Sequence, residues 1–123
     1  MTKQAMREPT FLILTALADS AQHGYGIMTD VAAMSRGRVH LRAGTLYAAL
    51  DRLLGDGIVD VDRQEIVDGR LRRYYRLTPA GAQLLAAEAE RLSANAKIAT
   101  TRLRKLRTGG APADGAALAG GAA

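Results

Sequence analysis

The residues of this sequence with chemistry to offer are mostly cations and hydroxyls. Arg63, Arg70, Arg72, Arg73 and Arg76 crowd into one short stretch with Tyr74 and Tyr75. Arg36, Arg38, His40 and Arg42 alternate with other residues just ahead of Gly44, Thr45 and Tyr47. Guanidinium groups at this density neutralise phosphates, and nearby hydroxyls add hydrogen bonds to a nucleic acid. Catalytic patterns are missing. There is no Ser–His–Asp set, no paired-carboxylate arrangement and no phosphate loop, and the Ala–Gly–Thr at 43–45 is no Walker motif. His23 and His40 lie far apart without zinc or EF-hand spacing, and with no cysteine the chain has neither disulfides nor thiolate metal sites. The expectation is a binding protein that is not an enzyme and carries no cofactor or metal.

The placement of charge points the same way. The chain of 123 residues has a net charge of +5. Residues 1–35 are slightly acidic, whereas 36–77 carry nine arginines against six acids, and 78–108 carry six cations against two acids. Clustered cations fit a polyanion, and double-stranded DNA is the partner expected; a solvated basic face is the plainer alternative. No apolar run reaches the ~20 residues of a membrane span, and the charged N-terminus lacks a signal-peptide core. A soluble cytoplasmic protein is the expectation.

These groups need elements to hold them. Pro9 suits the first position of a helix reaching Ser20, with Phe11, Leu14, Leu17 and Ala18 at helical spacing. After a loop over 21–24, a second helix starts near Tyr25 or Gly26, buries Ile27, Val31 and Met34, and stops at Gly37. Residues 38–42 read as an extended connector or short strand. The third helix, 43–56, has the cleanest stripe, with Leu46, Ala49, Leu50, Leu53 and Leu54 on one face and Gly57 as its stop. Its other face presents Gly44, Thr45, Tyr47, Ala48, Asp51 and Arg52. Two alternating segments, 58–62 and 72–77, flank a loop containing Asp68–Gly69 and read as a hairpin, with Tyr75 and Leu77 inward and Tyr74 and Arg76 outward. Thr78 caps a fourth helix that begins at Pro79 and runs to about Arg107, roughly 45 Å if continuous.

Helix, helix, helix, hairpin is the order of a winged helix-turn-helix. The fold class expected is mainly α with a small antiparallel hairpin. Residues 1–77 form the DNA-binding domain, with an arm at 1–8. Residues 78–108 form a dimerisation helix, and 109–123 a disordered Gly/Ala tail. The third helix takes the recognition role in the major groove. The expected DNA-binding residues are Arg42, Gly44, Thr45, Tyr47 and Ala48, with Arg70, Arg72, Arg73 and Tyr74 on the wing. For Tyr47, packing at the core edge competes with DNA contact; for Arg76, a cross-strand pair with Asp60 or Asp62 competes with phosphate. Leu85, Ala89, Leu92, Ala96, Ala99, Leu103 and Leu106 make a stripe too long for a three-helix core, so a homodimer is expected.

The runs LRAGTLYAALDRLLGDGIV and DGRLRRYYRLTPAG resemble the PadR family of winged-helix repressors, and EPTFLILTALADSAQHGYGI is similar to that family's first two helices. The likeness covers roughly residues 7–92. It implies a homodimer paired through the C-terminal helix, a palindromic operator, and release by a small, often aromatic, effector. It places Gly44, Thr45 and Tyr47 in the recognition motif and Arg73, Tyr74 and Tyr75 in the wing motif. Ala48 stands where many members have Pro, and the chain has no Trp with which to line an effector pore. A basic DNA-architectural protein and a protein-binding winged helix remain alternatives.

Overall fold

The computed structural model describes residues 6–108. The elements are α1 (Glu8–Asp19), β1 (Gln22–His23), α2 (Gly24–Met34), α3 (Ala43–Gly55), β2 (Val59–Val67), β3 (Arg70–Leu77) and α4 (Pro79–Arg107). Residues 1–5 of the expected arm at 1–8, and the expected tail at 109–123, lie outside the described residues; Glu8 already belongs to α1. Two compact units divide after Glu88.

In the first unit, α1 buries Ile13, Leu14, Ala16 and Leu17. Ala18, expected on the inner face, is exposed. This segment is apolar on nearly every side, so spacing alone could not pick the buried face. In α2, Ile27 and Val31 are buried as expected, but Met34 is outward. Ser35 takes the inner place: its hydroxyl accepts the Val39 N–H at 2.9 Å. The helix closes through Gly37 N–H to the Ala32 carbonyl at 2.8 Å and Arg36 N–H to Ala33 at 3.1 Å. That bonding pattern puts Arg36, at φ 54°, in the left-handed position, with Gly37 following. Residues 38–42 form no strand; Val39 and Leu41 pack against the core from an irregular connector.

α3 buries Leu46, Ala49, Leu50 and Leu53 and leaves Leu54 half-buried. Gly57 ends it at φ 74°, as its position foretold. The next helix is anchored on this stop. The Thr78 hydroxyl donates to the Gly57 carbonyl at 2.6 Å and accepts the Gly81 N–H at 3.0 Å, and the Thr78 N–H donates to the Ile58 carbonyl at 3.1 Å. Thr78 is thus cap and clasp together.

The sheet has three antiparallel strands in the order β1-β3-β2, not the two of a simple hairpin. Gln22 and His23 pair with Tyr75 and Tyr74. β2 and β3 also extend beyond the expected segments, taking 63–67 and 70–71 into the ladder. Asp68 and Gly69, at φ 52° and 77°, form the two-residue turn whose twist matches that of the strands. Asp62 is the extra residue of a bulge between Val61 and Arg63. Inward alternation holds for Tyr75, which is buried, and for Leu77, which packs on the core.

Leu84 and Leu85 of α4 also pack against this core. Leu85, expected in the dimerisation stripe, is half-buried against this core. In the second unit every described residue from 89 to 108 is exposed. No helix among the described residues is long and apolar enough to cross a membrane.

Candidate nucleic-acid interface

The burial of one α3 stripe turns Gly44, Thr45, Tyr47, Ala48, Asp51 and Arg52 outward, and all are exposed. Arg42 occupies the N-cap with extended backbone and makes no side-chain cap, so no side chain caps the first-turn amides of α3. Helix-end potential and the Arg42 charge have the same sign there.

Tyr47 has one side against the fold and one in the open. A Cβ on Gly24 would lie 2.2 Å from the Tyr47 hydroxyl oxygen and 2.6 Å from Cζ. The ring thus rests directly on the α2 backbone, yet Tyr47 stays 44 % exposed. Beside it opens a cleft of about 470 Å³, lined by His23, Gly24, Tyr25 and Tyr47 on one side and by Asp68, Arg70, Leu71, Arg72 and Arg73 of the wing on the other. The structure thus gathers Tyr47 with the three wing arginines expected at the site. Thr45 and Ala48 lie elsewhere, on a cavity of about 360 Å³ beside Arg7, Pro9 and Thr10 of the α1 end.

The arginines divide by what already holds them. Arg38 is paired with Glu8, whose carboxyl is thereby held below its ordinary pKa. Arg63 binds Glu65 at 2.8 Å and Asp62 at 2.9 Å; Arg76 binds Asp60 at 2.7 Å and Asp62 at 3.4 Å. The cross-strand alternative is therefore the one realised for Arg76, and the bulge at Asp62 brings the second carboxylate within reach. Arg70, Arg72 and Arg73 enter no ion pair among the described residues.

Tyr74, expected among the DNA-binding residues, has its ring packed at the wing's root. It is half-buried, with the His23 ring edge-on at 5.2 Å and the Arg63 guanidinium 3.9 Å from its centroid. His23 is the residue the sequence reading undervalued. Its Nδ1 accepts the Gly26 N–H at 3.2 Å, capping α2, while its backbone pairs with Tyr74. It joins helix and wing. A histidine three residues ahead of an unpaired first-turn amide was the only signal for this role.

Capping requires neutral imidazole, because a proton on Nδ1 abolishes the acceptor. Burial first, then the Arg72 charge, hold the His23 pKa below 6.5, with Glu65 pulling the other way. As pH falls, the unfolded chain therefore binds this proton before the folded one. The stability tied to neutral His23 is full above 6.5 and is lost as pH falls from there through the lower folded value. His23→Asn keeps an acceptor but does not titrate. Melting curves from pH 7.5 to 5 are expected to show a steeper loss in the wild type than in His23→Asn; parallel curves would remove His23 from this role.

Among the described residues no cluster of His, Cys, Asp or Glu is arranged to hold a metal. Residues 13–87 match the Transcriptional regulator PadR-like family. Over 76 residues the chain is 42 % identical to the Transcriptional regulator Rv3488 of Mycobacterium tuberculosis, a span covering 62 % of this chain and 67 % of that protein. A PadR family transcription regulator from Clostridium difficile superposes with a TM-score of 0.65 at 24 % identity, covering 79 % of this chain and 99 % of that one. PadR of Bacillus subtilis, solved in complex with operator DNA, superposes with a TM-score of 0.59 at 23 % identity, covering 66 % and 46 %. At these identities the two structural likenesses speak for the fold.

Proposed function

Because this chain belongs to the PadR-like family of transcriptional regulators, we propose that it represses transcription in the cytoplasm by binding a palindromic DNA operator as a homodimer. The exposed face of α3 reads base edges in the major groove through Gly44, Thr45, Tyr47 and Ala48, with Arg42 on the adjoining backbone. The wing arginines hold phosphates beside it. One observation carries this reading: three arginines that enter no ion pair among the described residues converge with Tyr47 on one cleft next to the outward face of α3. The likeness of fold to a regulator solved with operator DNA supports it.

Dimerisation rests on α4, whose Ala89, Leu92, Ala96, Ala99, Leu103 and Leu106 repeat at alternating steps of three and four and are all exposed in the single chain. A small aromatic effector acts between paired α4 helices beside Ala89, Ala96 and Ala99. It works by binding the DNA-free state more tightly than the DNA-bound one. Thermal-shift screening of planar aromatics against the full chain tests this, and a screen without a stabilising compound removes the effector from the scheme.

Selection of bound sequences from a random duplex pool tests the main reading: enrichment of one inverted repeat is expected. Equal binding to all sequences would instead make this a DNA-coating protein, and absence of salt-dependent binding would make it a protein-interaction module. On the selected duplex, affinity is expected to fall steeply with salt, and Arg73→Ala to lower the log–log salt slope by about 2, one phosphate contact being lost at each half-site of the dimer, while weakening all sequences alike. An unchanged slope would take Arg73 off the phosphate backbone. Gly24→Ala is expected to act through Tyr47. The added methyl meets the far end of a side chain that can swing away, so folding is largely kept while preference among the selected sequences changes. An unchanged preference would return Tyr47 to a packing role.

A further inference from the structure

The tip of the wing carries an apolar pair where a solvated turn has no need of one. Ile66 and Leu71 are cross-strand partners one step back from the Asp68–Gly69 turn, and they are 75 % and 62 % exposed. Directly opposed residues on antiparallel strands place both side chains on the same face. No described residue covers them. Arg70 and Arg72 are the chain neighbours of Leu71, Arg73 is two residues on, and none of the three is in an ion pair among the described residues. Leu71 shares the lining of the Tyr47 cleft with all three.

Resting on the DNA-binding reading above, we propose that Ile66 and Leu71 form an apolar wedge that packs between the sugar walls of the DNA minor groove while the flanking arginines hold the phosphates on either side. The pairing of chemistries selects the occupant. A protein surface would match the apolar pair but not three unpaired guanidinium groups around it. A duplex offers apolar deoxyribose faces between two rows of phosphate, and side chains of this type are suited to wedging there. Two carboxylates also sit near the tip. Glu65 is held by Arg63, and Asp68 occupies a left-handed position that Asp and Asn tolerate. The wedge makes the protein sensitive to what fills the groove floor. Guanine places its 2-amino group there, whereas adenine and thymine leave only acceptors. The wing thus acts as a reader of groove clearance beside the base-reading helix.

Inosine tests this because it lacks only the 2-amino group and keeps the major-groove edge of guanine. Wild type and the Ile66→Ser, Leu71→Ser double variant are titrated by fluorescence anisotropy into the duplex recovered by selection and into its inosine-for-guanine counterpart. Wild type is expected to bind the inosine duplex at least about threefold more tightly. The double variant is expected to lose about tenfold on the guanine duplex, to gain nothing from inosine, and to keep the wild-type salt slope. Both residues are exposed, so folding is not at stake, and circular dichroism checks it. Equal binding of both proteins to both duplexes would overturn the wedge, and so would a change in sedimentation of the double variant without DNA, which would make the pair a protein contact. A wild type that binds no duplex in a salt-dependent manner would overturn the DNA-binding reading itself.

Discussion

Leu92→Asp is expected to yield a folded monomer that binds the selected operator at least about 100-fold more weakly than the wild type. Leu92, Leu103 and Leu106 are 40 %, 55 % and 46 % exposed in the single chain. Burying each against a partner stabilises the pair by roughly 1.5–3 kcal/mol. An aspartate at 92 costs the free chain little, because water reaches it there. In a paired seam the same carboxylate must be desolvated next to leucine, at a cost of several kcal/mol. Losing the partner turns two linked half-site contacts into one, and the effective concentration of the second half-site, on the order of millimolar, goes with it. Sedimentation at micromolar concentration reads the assembly and anisotropy reads the affinity. A wild-type monomer, or a Leu92→Asp dimer that binds normally, would place the interface elsewhere.

The second large effect falls on folding. Gly81→Ala is expected to destabilise the protein by about 3 kcal/mol, lowering its melting temperature by roughly 10–20 °C. The new methyl would lie 2.1 Å from the Ile58 carbonyl oxygen, 3.1 Å from its carbon and 3.2 Å from Ile58 Cγ2. Neither side can yield cheaply. The carbonyl is held by the Thr78 N–H, and the Ile58 N–H is tied to Leu53 at 3.0 Å. The obstacle is backbone, unlike the tyrosine tip facing Gly24, and the gain in helix propensity from Gly to Ala of about 1 kcal/mol is too small to offset it. Thermal melts compare the variant with the wild type; equal stability would show that the start of α4 can shift away from Ile58.

Which parts of this were legible in the sequence follows from how local the causes are. α3 and its stop were readable because Leu46, Ala49, Leu50, Leu53 and Gly57 each act within a turn of one another. So was the Asp68–Gly69 turn, whose chemistry is contained in two residues, and the Thr78–Pro79 start of α4. The outward side of α3 followed by subtraction from its buried side. The failures were non-local. A two-residue strand such as β1 has no periodicity; only its pairing with Tyr74 and Tyr75 makes it a strand. The commitment of Tyr74 to His23 and Arg63 likewise depends on residues far apart in sequence and on a bulge that alternation does not anticipate. Ile66 and Leu71 passed unnoticed because they fell in the stretch read as a loop, and only the extended ladder of β2 and β3 sets them opposite each other.

The pairing of β1 with β3 also sets an order of events during synthesis. Gln22 is made long before Tyr75, its partner, and at roughly 5–20 residues per second the ribosome takes several seconds to supply it. Until then His23 can cap α2 but has no tyrosine to rest on, and the helices have no sheet along their edge. The hairpin, closed by its own two-residue turn, forms as soon as it emerges. Docking it onto residues 22 and 23 is then the step that fixes the wing's angle to α2. A ribosome stalled after the first three helices therefore holds a chain in which β1 has no partner strand, and the sheet that joins α2 to the wing is complete only once β3 has been made.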